Sequence, residues 1–201
     1  SIDLFAGCGG LTRGLEWAGF ECLAFNELNK DAADTFALNF PNAIRLDGDI
    51  KEAVSKKVIQ EKIKPLIEAK GGLDFLCGGP PCQGFSNIGH RRTHKLEKRE
   101  IPTNHLFHEM IRVIKELKPK IFLFENVEGI LSGKWDKKEG KKGEIFRDVW
   151  KGFSSIRGYT AQPTLLHAYG FGVPQNRPRV MIMGIRNDIL KKSTLKPVKF
   201  D

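Results

Sequence analysis

The sequence predicts an α/β protein built on a doubly wound, mainly parallel sheet of seven strands, with helices on both faces. Three observations lead there. Short apolar runs alternate with amphipathic stretches from one end of the chain to the other, the pattern of strand and helix taking turns. A glycine-rich turn, Gly7-Cys8-Gly9-Gly10, follows the first apolar run and opens a helix, as at the carboxyl end of a first strand in open α/β sheets. The chain has 201 residues, 40% of them hydrophobic, enough to bury the core of one ordinary domain over residues 1–201.

The elements follow in order. Residues 2–5 form the first strand, and 21–26 and 43–46 the next two, with helical periodicity over 31–39 between them. A helix over 56–69 leads to the fourth strand, 73–77. The clearest helix is 104–117, with Leu106, Met110, Val113 and Leu117 on one face and Asn104 as its cap. The fifth strand, 121–125, is apolar throughout until Glu125. A helix over 143–156 and strands at 162–166 and 180–185 complete the reading. Two segments break the rhythm: the Gly-, Pro- and Arg-rich stretch 78–103, read as a functional loop, and the Lys- and Gly-rich stretch 129–143, read as mainly solvated.

Composition narrows the function classes. The formal net charge is +9, with basic residues concentrated at Arg91-Arg92-Thr93-His94-Lys95 and over 134–151, so a polyanion is a plausible partner. No apolar run approaches the length of a membrane span, and no basic-then-apolar leader opens the sequence, so export is not expected. Cys8, Cys22, Cys77 and Cys82 include no C-x-x-C pair, and zinc sites of the size that His90 with His94 and His105 with His108 could make usually draw on cysteine or carboxylate partners with tighter spacing. Neither a metal centre nor a disulfide framework is expected.

Chemistry gathers at the strand ends. A dinucleotide fingerprint counted from Gly7 needs a third glycine where Thr12 stands, which weakens a nicotinamide reading. Glu27 closes the second strand, where a carboxylate suits the ribose hydroxyls of a nucleoside cofactor, and Asp49 after the third is placed to accept from an adenine amino group. The alternative is a plain strand-turn-helix with two surface acids. The fourth strand runs into Gly78-Gly79-Pro80-Pro81-Cys82-Gln83, a rigid turn that presents a cysteine above the sheet beside the basic residues Arg91, Arg92 and Lys95. Those surroundings favour a thiolate, against the ordinary reading of a buried inert thiol. Glu125 ends a buried strand, where its carboxyl is raised toward a proton donor's range unless an ion pair or a helix cap takes it up. Arg177 and Arg179 stand one residue apart before the last strand, as a fork for carbonyls or phosphates, or as mere solubilising charge.

Taken together in this order, Asp3-Leu4-Phe5-Ala6-Gly7-Cys8-Gly9-Gly10, Gly79-Pro80-Pro81-Cys82-Gln83, Glu125-Asn126-Val127 and Gln175-Asn176-Arg177-Pro178-Arg179 resemble the cytosine-C5 DNA methyltransferase family, and they span nearly the whole chain. The resemblance implies an enzyme of restriction–modification type that binds S-adenosylmethionine, leaves S-adenosylhomocysteine and acts on cytosine in double-stranded DNA. It implies that Phe5 stacks on the adenosine, that Gly7, Gly9 and Pro80 shape the cofactor pocket, that Glu27 holds the ribose, and that Asp49 with Ile50 holds the adenine. By the same resemblance Cys82 is the nucleophile, Glu125 the acid at cytosine N3, and Arg177 and Arg179 support the active-site loop and the base O2. No membrane partner is implied, and the expected setting is the bacterial cytoplasm at the nucleoid, or the nucleus in a eukaryote.

The sequence also departs from the family. A variable target-recognition region and a last, Asn-Ser-rich motif are expected beyond the Arg-x-Arg strand, and neither is visible before Asp201. A truncated form, an incomplete copy and one subunit of a split enzyme with a second chain are the three readings. The same chemistry on a tRNA cytosine is the alternative within enzymes, and a non-catalytic binding subunit is the alternative outside them. Exocyclic amino methylation is disfavoured, since those enzymes present Asp/Asn/Ser-Pro-Pro-aromatic where this chain has Pro80-Pro81-Cys82.

Overall fold

The computed structural model describes residues 1–81, 102–136 and 139–192. Within them, β1 (Ile2–Leu4), α1 (Gly10–Trp17), β2 (Ala24–Asn26), α2 (Lys30–Asn39) and β3 (Ile44–Arg45) alternate as the apolar pattern requires. A four-residue helix follows as α3 (Ile50–Ala53), too short to leave a periodic signal. The helix expected over 56–69 is α4 (Lys56–Val58) and α5 (Lys64–Ala69), joined by a π turn at Ile59–Ile63. Pro65 sits where the regular helix resumes, and it has no N–H to give the preceding turn. Next come β4 (Phe75–Gly78), α6 (Phe107–Leu117), β5 (Ile121–Val127), α7 (Glu144–Ser154), β6 (Tyr159–His167), β7 (Pro178–Arg186) and α8 (Asn187–Lys192).

The strands lie in the order β3-β2-β1-β4-β5-β7-β6. β1 pairs in parallel with β2 and with β4, and β2 with β3, while β6 and β7 form an antiparallel hairpin. The sheet is therefore mainly parallel, as expected. The chain leaves β1 toward β2 on one side and β4 on the other, so β1 stands at a switch point, where a crevice opens beyond the strand ends.

Contacts divide the chain into two compact units, Ser1–Gly79 with Arg112–Leu123, and Pro80–Ile111 with Phe124–Asp201. In the first, Phe25, Phe36 and Phe40 gather with Cys22 and Ala33, and the Phe25 and Phe36 rings stack at 3.9 Å. In the second, α7 buries Ile145, Val149 and Phe153 at i, i+4 and i+8, and Phe153 meets Phe124 of β5 at 4.9 Å. Each such buried ring stabilises by about 1.5–3 kcal/mol.

Three expectations need correction. The helix expected from Asn104 begins only at Phe107: Asn104 lies buried inside a 3-10 turn, Pro102–His105, and Leu106 directly precedes the helix. The buried stripe of α6 is Phe107, Met110, Ile111, Val113 and Ile114, while Leu106 and Leu117 are half-buried, because the helix starts later and buries a wider arc than one face. The stretch 129–143 is not mainly solvated, since Trp135 is 5% exposed, stacks on His105 at 5.0 Å and donates from its indole nitrogen to Asp148 at 2.6 Å. A ring of that area outweighs the lysines and glycines around it. Among the described residues no helix is long and apolar enough to cross a membrane.

Candidate functional site

In the first unit the turn after β1 is built backward from its glycines. Phe5 has φ +57°, a left-handed conformation that a bulky residue rarely adopts and that costs of order 1–3 kcal/mol. Gly7 (φ +55°) and Gly9 (φ +91°) continue it for different reasons. A Cβ on Gly9 would stand 2.3 Å from the Phe40 ring, so this glycine serves packing. A Cβ on Gly7 would meet nothing within 4 Å among the described residues, so this one faces open space. Backbone bonds from Ala6 to Asn26 (3.0 Å) and from Gly9 to Ala6 (3.0 Å) hold the turn.

Glu27, just beyond β2, braces the same turn. One of its oxygens accepts from the Gly7 N–H at 2.8 Å and the other from the Asn29 N–H at 2.8 Å. Each oxygen keeps acceptor capacity for a further donor, and a ribose diol would supply two. Open space at Gly7, a half-buried Phe5 ring and a fixed carboxylate make a cradle that fits an adenosine cofactor. Beyond β3, Asp49 caps α3 by accepting from the Lys51 N–H at 3.0 Å, and Ile50 is buried. Asn26, which the sequence reading passed over, is buried and donates to the carbonyls of Leu46 (2.7 Å) and Gly48 (3.1 Å), which fixes the approach to Asp49.

Asp3 stands in β1, two residues before Phe5. It is 0% exposed, and Thr12, also 0% exposed, donates to its Oδ2 at 2.7 Å. Burial pushes the Asp3 carboxyl up to about 6, while the Thr12 hydrogen bond pulls the other way. Burial likewise pushes the Cys77 thiol well above its ordinary value and the Cys22 thiol up to about 11. Neither thiol offers a thiolate near neutral pH.

Along β5 burial alternates: Phe122, Phe124 and Asn126 are buried, while Glu125 and Val127 are half-buried. Glu125 is not left alone in a buried strand end. Arg179 Nε of β7 lies 2.7 Å from its Oε1, with side chains 19% and 24% exposed, an ion pair whose angle falls off the line of a hydrogen bond. Arg179 also donates to the Pro178 carbonyl at 2.8 Å. Arg177 precedes the strand and is exposed, so the two arginines occupy different surroundings. Asn126 donates to the Pro80 carbonyl at 3.1 Å and accepts from the Val127 N–H at 2.9 Å, tying the β5 end to the Pro80-Pro81 turn. Cys82, with Arg91, Arg92 and Lys95, lies outside the described residues.

The family model described as C-5 cytosine-specific DNA methylase matches residues 1–200. The Type II methyltransferase M.FnuDI of Fusobacterium nucleatum is 36% identical over 188 residues, covering 94% of this chain and 47% of its own length. M.DdeI of Desulfomicrobium norvegicum, also a Type II methyltransferase, is 36% identical over 195 residues, covering 93% of this chain and 40% of its own. The chain thus spans about half the length of the curated relatives it matches. Among solved structures, a DNA modification methyltransferase encoded within an E. coli prophage superposes with a TM-score of 0.71 at 29% identity, over 98% of this chain and 51% of that one.

Proposed function

The chain belongs to the C-5 cytosine-specific DNA methylase family, and we propose that it carries the catalytic part of an enzyme that methylates C5 of a flipped-out cytosine in double-stranded DNA. The observation that carries the reading is the Glu125–Arg179 pair, an acid held at 2.7 Å against a forked cation at the motif positions the family uses for the base.

The chemistry assigns each residue a task. C5 of cytosine is too poor a nucleophile to take a methyl group unaided. Cys82 adds as a thiolate to C6, the C5–C6 electron pair is pushed toward N3, and Glu125 holds the proton there, leaving an enamine nucleophilic at C5. S-adenosylmethionine, when bound at the β1 turn, supplies the electrophilic methyl. Loss of the C5 proton to a base then breaks the C6–S bond, restores the aromatic ring and returns the thiolate. Arg179 steadies Glu125 and meets O2, and Arg177 supports the active-site loop. Phe5, Gly7, Gly9, Glu27, Asp49, Ile50 and Pro80 hold the cofactor. The base leaves the stack to react, at a cost of a few kcal/mol.

Fluorine at C5 cannot depart as a cation, so DNA carrying 5-fluorocytosine at the target, given cofactor, is expected to leave a denaturation-resistant adduct on Cys82. Cys82→Ser abolishes it. An adduct that survives this substitution, or that maps to Cys8, removes Cys82 as the nucleophile. Labelled methyl transfer to DNA and tRNA in parallel, followed by nucleoside analysis, decides the substrate.

A further inference from the structure

Thr12 occupies the position where a dinucleotide fingerprint carries its third glycine, a residue whose use there is to let helix and strand approach closely. Here the approach is made by a hydrogen bond instead. Asp3 of β1 and Thr12 of α1 are both fully buried, and their bond at 2.7 Å spans nine residues of sequence. Everything in the turn lies between those two residues: the left-handed Phe5, the open Gly7 and the packed Gly9. The outer side of the loop is held by Glu27, through the Gly7 N–H. Among the described residues Asp3 Oδ1 is buried without a hydrogen-bond partner, so the carboxylate sits in the core at a desolvation cost that packing alone does not require. Cys77, its register neighbour on β4, stands beside it as a thiol.

We infer that Asp3 and Thr12 are a positioning pair for the cofactor turn, closing it from beneath as Glu27 closes it from outside, so that cofactor affinity depends on a hydrogen bond that touches no cofactor atom. The inference rests on the reading that the turn receives S-adenosylmethionine.

Thr12→Val removes the hydroxyl and nearly keeps the shape. It is expected to weaken S-adenosylmethionine binding by roughly tenfold or more in titration calorimetry. In the ligand-free protein it is expected to speed amide hydrogen exchange over residues 5–13, leaving exchange in β5 to β7 unchanged. Thr12→Ser, which keeps the hydroxyl, is expected to bind within about threefold of the parent. Unchanged affinity in Thr12→Val overturns the pair, as does faster exchange spread over the whole chain, the mark of a structural role. Should Thr12→Val fail to fold, a tenfold loss in Thr12→Ser overturns it too, since packing of the methyl would then be what matters. If the parent itself does not bind S-adenosylmethionine, the proposed function fails, while the ligand-free exchange still decides whether the pair sets the turn.

Discussion

Arg179 on β7 holds its guanidinium 2.7 Å from the carboxylate of Glu125 on β5, and both side chains are largely out of water. A planar fork can keep that contact and still present N–H groups to a carbonyl, which a lysine ammonium cannot do with the same geometry. Arg179→Lys is therefore expected to slow formation of the 5-fluorocytosine adduct by roughly 10²-fold or more, and Glu125→Gln by about 10²–10⁴-fold, with cofactor affinity unchanged in both. Rapid-quench sampling of the adduct measures the first and calorimetry the second. An Arg179→Lys enzyme that forms adduct at the parent's rate would detach the arginine from the reaction.

Glu27 serves two backbone amides at once, so its loss strips the turn of a brace and, on the proposed reading, of a ribose partner as well. Glu27→Ala is expected to weaken S-adenosylmethionine binding by about 1–3 kcal/mol. Glu27→Gln keeps one acceptor oxygen and should fall between. Calorimetry that finds Glu27→Ala equal to the parent takes the residue out of the site.

The buried carboxyl of Asp3 links stability to pH. Its ordinary value is 3.8 and burial raises it to about 6, against the hydrogen bond from Thr12 and with the Glu27 charge adding to the rise. Between those values the folded state binds the proton that the unfolded state has released. This contribution to stability is therefore full below about pH 4 and lost as pH climbs through 6, on the order of 3 kcal/mol. Asp3→Asn cannot ionise, so its stability relative to the parent is expected to improve by that order between pH 4 and 7. Urea titrations across this range measure it. A flat difference would mean that Asp3 ionises in the fold as freely as in water.

The strand positions were legible because apolar runs and turns are local, and all seven expected strands have counterparts in the sheet. The glycine turn and Glu27 were legible because they sit at strand ends, where chain order alone predicts a crevice. What one residue does for another far along the chain was not. Thr12 was noticed as a missing glycine, yet its partner Asp3 emerges only once α1 is laid on β1. Glu125 and Arg179 were both named, and their union depends on β5 and β7 lying side by side. Trp135 was lost among lysines because composition is an average, and its anchor, Asp148, comes from α7. Four-residue α3 is shorter than any period that could announce it.

Gly7 and Gly9 look alike in the sequence and differ in the fold, which separates binding from stability by two single substitutions. Both have positive φ, so alanine at either costs about 1–2 kcal/mol for the left-handed backbone. At Gly9 the added methyl also lands 2.3 Å from the Phe40 ring, which is buried against Phe36 at 4.7 Å and has little room to yield. Overpacking adds about 1–3 kcal/mol, so Gly9→Ala is expected to lose about 2–5 kcal/mol in urea denaturation. At Gly7 the methyl meets no atom of the described residues within 4 Å and enters the space beside the N–H that Glu27 holds. Gly7→Ala is therefore expected to stay within about 2 kcal/mol of the parent in stability while losing roughly tenfold or more in S-adenosylmethionine affinity. If Gly7→Ala binds the cofactor as the parent does, the open space beside Gly7 is not where the cofactor lies, and the cradle must be sought elsewhere along the β1 turn.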